Sequence, residues 1–492
     1  MKIDRRVFLG HASAAAALAM IAPAARAQTA PGGLAPLTSA APVRRPAPPV
    51  SDLIDAARLN ALVSFAALAP DGRIVEARDA DLPLPPASTL KTVTALYALD
   101  RLGHAHRFRT RVLLDGDTLI LAGGGDPVLD SDALTVLATE VAAAMAGRPV
   151  ARFVVWGGAL PQITEIAPPQ ADHLAYNPSL SGMILNFNRV LLDWRGGQSG
   201  PRLSLTARGE DVAPQAYSVR IAVADRAAPL LAYDGDRQTE SWTIAARTMG
   251  KSGSWWLPVR RPELYAGDVF QTLARAKGLV LPAPEVGYAA PSGAEIAGHD
   301  SPPLRDILRD MLHYSTNLTA EAVGLAASGA ADQAASGQAM ADWLRGQGIA
   351  GEVAFADHSG LSPDSRISAL TLARALAAPV ARDRLEELLK TDPLAEALGA
   401  EARGSGVRGK TGTLNFVSNL AGYGPGGIVF AVLTADAARL AATAGEDLPD
   451  GVLGWTTRSK RLQRKLVERF GQLSGDTNRH ATLAEIMADP RG

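Results

Sequence analysis

The 492-residue chain contains no cysteine and only eight lysines, against 41 arginines (49 basic residues less eight). Without cysteine, neither a disulfide framework nor a lipid-anchored N-terminal cysteine is available. Any stability the chain has must come from its core. Charge of either sign is not in excess: the net charge is −1 and the sequence pI about 6.7. This argues against a nucleic-acid binder that works by bulk charge. A convincing membrane span is missing too. The Ala-rich run near the N-terminus is short and is broken by Pro23, so no integral span is expected once that segment is removed.

The first residues read as a targeting segment. Asp4-Arg5-Arg6-Val7-Phe8-Leu9-Gly10 is a twin-arginine signature, and Ala25-Arg26-Ala27 a small-x-small cleavage site. Residues 1–27 are therefore expected to be a Tat-type signal peptide directing the chain to the periplasm; a retained anchor is the competing reading. Residues 28–50, rich in Pro, Ala and Gly, read as a linker. About 465 residues remain after cleavage, enough for two to four domains. A content of 47% hydrophobic and 20% charged residues is ordinary for a globular protein.

Because arginine serves almost everywhere, each lysine is informative. Lys91 is the only one with a serine three residues before it. Ser88-Thr89-Leu90-Lys91 follows Pro85-Pro86 and opens an apolar run, residues 93–99, free of Gly and Pro. This predicts a loop entering a buried helix. Positions i and i+3 share a helix face, so Ser88 Oγ and Lys91 Nζ can meet. A serine hydroxyl needs a base to become a nucleophile. A desolvated lysine can be that base, whereas arginine does not deprotonate. Taken alone, S-x-x-K is as easily a chance feature of a surface helix.

Residues 61–78 predict a hairpin around Pro70-Asp71-Gly72. Further hairpin, helix and strand candidates follow at 108–122, 132–146, 152–156, 202–206 and 218–223. Residues 107–299 are read as a strand-rich insert. Gly123-Gly124-Gly125 within it is better explained by a tight turn than by a phosphate loop, since no lysine or helix opening follows. From 304 the spacing of Leu304, Ile307, Leu308, Met311 and Leu312 is that of an amphipathic helix. Two more helices, near 318–328 and 332–346, are predicted. Ser315-Thr316-Asn317 lies at the first junction, where helix capping alone would explain Ser and Asn. Asp357-His358-Ser359-Gly360-Leu361-Ser362-Pro363 reads mainly as turn chemistry. Lys410-Thr411-Gly412-Thr413 precedes two strand candidates, so Lys410 is on or beside a sheet strand. Gly412 leaves room for a ligand backbone, and Thr411 and Thr413 offer hydroxyls to a carboxylate; an exposed edge-strand lysine is the alternative. Leu462, Leu466, Phe470 and Leu473 mark a helix expected to pack on the sheet. Residues 476–492 read as a tail.

In order, Ser88-x-x-Lys91, Ser315-x-Asn317 and Lys410-Thr411-Gly412 form the motif set of penicillin-binding proteins and class A β-lactamases. The chain resembles the penicillin-recognising serine acyl-transferases. More narrowly it is similar to the class C low-molecular-mass penicillin-binding proteins, the D-alanyl-D-alanine carboxypeptidase/endopeptidase family. The gap of 227 residues from Ser88 to Ser315 (315 − 88) leaves space for that family's inserted domains. Gly125-Asp126-Pro127, Ser301-x-Pro-Leu304, Ala320-Glu321 and Ser359-Gly-Leu-Ser362 also match. Two positions depart: Pro363 stands where the family often has arginine, with Arg366 three residues on, and Thr316 replaces the common Asp or Asn.

The resemblance implies an α+β fold. A β-lactamase/transpeptidase-like catalytic domain, an antiparallel sheet flanked by helices, would comprise residues 51–106 and 300–475, with the multi-domain insert between the first and second motifs. It implies Ser88 as nucleophile, Lys91 as base, and Ser315 as proton relay to the leaving amine. Asn317 would bond the substrate amide. The N–H groups of Ser88 and Thr413 would form an oxyanion hole, and Lys410, Thr411 and Thr413 would hold a terminal carboxylate beside Gly412. The substrates implied are peptidoglycan peptides, with β-lactams as inhibitors. No metal, cofactor or nucleic acid is implied, and a homo-oligomer is left open. The alternatives are a β-lactamase or esterase with the same Ser-Lys site, and a non-catalytic wall-binding homologue.

Overall fold

Alternation of large apolar residues builds a sheet with two buried faces. The computed structural model describes residues 48–168, 170–197, 200–235 and 240–488. The expected signal peptide and most of the expected linker lie outside them. Six antiparallel strands run in the order Lys390–Thr391, Arg408–Leu414, Val417–Tyr423, Val429–Ala435, Leu62–Leu68 and Ile74–Arg78. Successive side chains point to opposite faces. Ala66, Leu68, Ala431 and Leu433 therefore face helices Lys91–Leu102, Leu304–Tyr314 and Ala369–Ala377 in one cluster. Phe65, Ala67, Phe430 and Val432 face Trp455, Leu462, Leu466 and Phe470 of helix Val452–Ala488 in another. Phe65 and Phe470 meet with ring centroids 5.3 Å apart. The C-terminal helix thus covers the sheet as its apolar spacing predicts.

Helix Lys91–Leu102 is buried along residues 91–99. A helix apolar on every side must be covered on every side. Here helices Asn317–Ser328, Leu304–Tyr314 and Gln333–Gly346 do the covering.

The chain between this helix and Leu304 makes its own sheets. Strands Pro284–Gly287, Arg152–Trp156, Thr118–Ala122, Arg109–Asp115 and Ala294–Asp300 form a mixed five-stranded sheet in that order. Two three-stranded sheets and helices Ser131–Met145 and Pro262–Ala276 share its apolar cluster, centred on Leu134, Phe153, Trp242 and Phe270. The outgoing and returning strands, Arg109–Asp115 and Ala294–Asp300, pair with each other. Below them Ser301 N donates to Phe108 O (2.8 Å), and Phe108 N donates to Ser301 Oγ (2.9 Å). The segment leaves and rejoins the chain at one point. One stretch of it, carrying Leu160, Ile163, Ile166, Leu180 and Ile184, packs instead on Leu318, Ala322 and Leu325 of helix Asn317–Ser328. Among the described residues no helix is long and apolar enough to cross a membrane.

Candidate active site

Proline spacing sets the entry to the buried helix. After Pro85-Pro86 the chain makes a short 3-10 turn, Ala87–Leu90, whose first residue is left-handed (Ala87 φ 46°). For a residue with a Cβ this conformation is unfavourable and must be held by its surroundings. The holding groups are visible. Asn419 Nδ2 donates to Pro85 O (2.9 Å) and Pro86 O (2.8 Å), and its Oδ1 accepts from Thr434 N (3.0 Å). A Cβ on Gly412 would lie 2.7 Å from Pro86 O and 3.0 Å from Ser88 N. The room left by Gly412 is thus taken by the serine turn itself, rather than standing open to a ligand backbone as its sequence position suggested. Gly360 packs on the Ala87 carbonyl in the same manner.

That turn presents Ser88 to Lys91, which is fully buried. Lys91 Nζ lies 2.9 Å from Ser88 Oγ, 2.8 Å from Asn317 Oδ1 and 2.7 Å from Ser359 O. Two of these neighbours are carbonyl oxygens, which only accept. A neutral amine has two N–H groups and one lone pair. Donating both to Asn317 and Ser359 leaves the lone pair on Ser88 Oγ. Burial pushes Lys91 down to about 7, against the opposing pull of Asp357 and then Glu321. Lost hydration, rather than a neighbouring cation, is what depresses it. Lys410 is itself held well below its usual range, first by burial and then by Lys91, Lys390 and Lys460.

The second motif occupies cap positions but makes no side-chain cap bond. Ser315 ends helix Leu304–Tyr314 in the left-handed conformation (φ 61°), and the N-cap of the next helix is Thr316, which makes no side-chain cap bond. The two flanking side chains turn into the site instead. Lys410 Nζ donates to Ser315 Oγ (2.9 Å) and to Thr411 O (2.8 Å). Asn317 bonds Lys91 with its oxygen and donates from Nδ2 to Tyr176 O (3.1 Å). Ser88, Lys91 and Asn317 therefore form one hydrogen-bonded group and Ser315 and Lys410 a second, near enough that the charge of Lys91 acts on Lys410. Thr411 is half-buried on the same strand, and Thr413 is exposed.

Residues that sequence reasoning missed hold this group in place. The carbonyl of Ser359 has no side-chain signal, because any residue carries one. Asn419 could have been found: it is a buried amide in an otherwise small or apolar strand, and such a group must be partnered. Asp357 accepts from Ser359 Oγ (3.0 Å), Ser362 N (2.8 Å) and Ser365 Oγ (2.6 Å). Arg366 turns its guanidinium onto Pro363 O and Ser365 O, so it braces the loop. Among the described residues no cluster of three or more His, Cys, Asp or Glu is arranged to hold a metal ion.

A profile of the D-Ala-D-Ala carboxypeptidase 3 (S13) family matches residues 50–458. The chain belongs to that S13 family. The S13 chain is 28% identical over 466 residues to a D-alanyl-D-alanine carboxypeptidase of Actinomadura sp. (strain R39), covering 82% of this chain and 84% of that one. It is also 28% identical over 434 residues to a carboxypeptidase of Mycobacterium tuberculosis, covering 77% and 82%. In structure it is similar to penicillin-binding protein 4 of Haemophilus influenzae: TM-score 0.66, 21% identity, 85% of this chain and 99% of that one. The same protein complexed with a β-lactam gives a TM-score of 0.65 at 20% identity over the same shares. The fold is thus the α+β fold of the penicillin-binding proteins. The S13 chain is an enzyme of the serine-type D-Ala-D-Ala carboxypeptidase class, a hydrolase.

Proposed function

We propose that this enzyme removes the terminal D-alanine of peptidoglycan stem peptides, and opens D-alanyl cross-links, through an acyl-enzyme on Ser88. The observation that carries this reading is the orientation of Lys91, whose two N–H groups are engaged by Asn317 Oδ1 and Ser359 O. Its lone pair then takes the Ser88 proton as Oγ attacks the carbonyl between the two D-alanines. The developing oxyanion is bonded by the N–H groups of Ser88 and Thr413, each such donor supplying roughly 3 kcal/mol. Gly412 stacked on Ser88 N supports that pairing. Ser315 donates its hydroxyl proton to the leaving amine nitrogen and regains the proton that Lys91 took from Ser88, which returns Lys91 to its neutral form. Lys410, Thr411 and Thr413 hold the substrate's terminal carboxylate, and Asn317 bonds its amide. Water, deprotonated by Lys91, then attacks the ester and frees Ser88.

The work is done in the periplasm, after export on the twin-arginine segment; the N-terminal residue of protein recovered from periplasm would fix the cleavage site. β-Lactams act as substrate mimics that acylate Ser88 and leave slowly. Intact-mass measurement before and after benzylpenicillin, with Ser88→Ala alongside, tests this reading. A persistent adduct mapped to Ser88, absent in the variant, is expected, together with loss of D-alanine release from a pentapeptide. Consumption of penicillin without adduct would instead indicate a β-lactamase. Intact penicillin with no adduct would indicate a binding protein.

A further inference from the structure

Glu321 lies one turn beyond Asn317 on helix Asn317–Ser328, so both point from one face. Asn317 touches Lys91 directly. Glu321 reaches it through the loop at Asp357–Gly360. Its fully buried carboxylate accepts from Ser359 N (2.8 Å), from His358 N (3.1 Å) and from Gln333 Nε2 (3.2 Å). All three are donors, and no cation pairs with it there. The residue whose amide it holds supplies the second acceptor of Lys91, Ser359 O at 2.7 Å. The next residue, Gly360, is left-handed (φ 73°) and packs on the Ala87 carbonyl just before Ser88.

We infer that Glu321 is a positioning residue for acyl transfer: by clamping the backbone of His358 and Ser359 it aims the Ser359 carbonyl at Lys91, and so turns the Lys91 lone pair onto Ser88. One helix face thereby supplies both acceptors of the base, one by side chain and one through a loop. This rests on the reading of Ser88 and Lys91 as nucleophile and base. The titratable groups facing Glu321 are Lys91 and Asp357, with His358 on the same loop. Its negative charge also favours the protonated form of Lys91, as does that of Asp357. Removing the charge therefore eases deprotonation of the base while loosening its aim.

The test is the second-order rate of benzylpenicillin acylation as a function of pH, for the wild type, Glu321→Gln and Glu321→Asp. An adduct on wild-type Ser88 is the entry condition; its absence would sink the underlying reading and not this inference alone. In Glu321→Gln the plateau is expected to fall about tenfold, as small misplacements at a reacting centre do, and the acid limb to move to lower pH. In Glu321→Asp, which keeps the charge at a shorter reach, the limb is expected to stay while the plateau falls. A wild-type plateau in either variant would overturn the inference. So would a fallen plateau in Glu321→Gln with the limb unmoved, since that is what a purely structural role gives. Should Glu321→Gln not fold, Glu321→Asp keeps the inference refutable, because a wild-type plateau there would overturn it.

Discussion

The two large polar populations of this enzyme are handled in opposite ways. On the five-stranded sheet of the segment from Arg109 to Asp300, exposed charges pair across strands. Arg152 meets Glu285 at 2.6 Å, and Arg109 meets Glu295 and, at 2.9 Å, Asp300, with side chains roughly half exposed. Beneath them the core is apolar. At the site, Lys91, Lys410, Glu321 and Asp357 are all buried, and among the described residues none has an oppositely charged partner in salt-bridge contact; carbonyls, hydroxyls and backbone amides surround them instead. Exposed pairs are screened and contribute little. Buried groups bonded to neutral partners keep the full effect of lost hydration. The difference shows what a lysine at position 91 offers that an arginine would not: a group that can lose its charge.

That contrast can be tested in five ways. The largest effect is expected for Lys91→Arg. It keeps a cation but cannot give up a proton, so acylation should fall about 10^3-fold or more, the contribution of a positioned base. Stopped-flow acylation kinetics that stayed within tenfold of wild type would overturn the assignment of the base. Second, the wild-type acylation rate should rise with pH through the value of about 7 at which burial holds Lys91, and a flat profile would refute a titrating base. Third, Asn419→Ala removes the donor that fixes Pro85 O and Pro86 O. A loss of about 1–3 kcal/mol in urea unfolding is expected from the orphaned buried groups, with slower acylation at unchanged pH profile.

A smaller and sharper test uses His358. Burial lowers it to about 4, below its ordinary value of 6.5. Between those values the unfolded chain binds a proton and the folded chain does not, so stability falls as pH falls through that window, by up to about 3 kcal/mol. Buried acids such as Glu240, raised to about 7 by burial, act in the opposite sense, so the measurement is the difference between wild type and His358→Gln in urea midpoints followed from pH 7 downward. A difference independent of pH would refute it. At the other extreme, Arg152→Ala should leave unfolding midpoint and acylation rate unchanged, because its partner is an exposed carboxylate already in water.

Much of the architecture was readable from pattern. The hairpin at 61–78, the helix from Leu304 and the C-terminal helix rest on apolar periodicity, a local property that burial enforces. The three motifs were readable as residue types at fixed spacing. Their convergence was not. Ser315 sits 95 residues from Lys410 and meets it because the junction of two helices lies against the strand Arg408–Leu414. Locally, capping was the better reading of Ser315 and Asn317, and only their long-range partners decide against it.

What the sequence by itself determined is the chemistry on offer: a lysine where arginine is the rule, a serine at helical reach, and a chain without cysteine that relies on its core. What only the tertiary structure decided is the state and aim of that chemistry. Lys91 is pushed down to about 7 because the fold buries it, and two carbonyl oxygens lie against it. One of them, on Ser359, belongs to a backbone held by Glu321. Desolvation and the direction of a lone pair are properties of packed neighbours, and neighbours far apart in the chain leave no local mark in it.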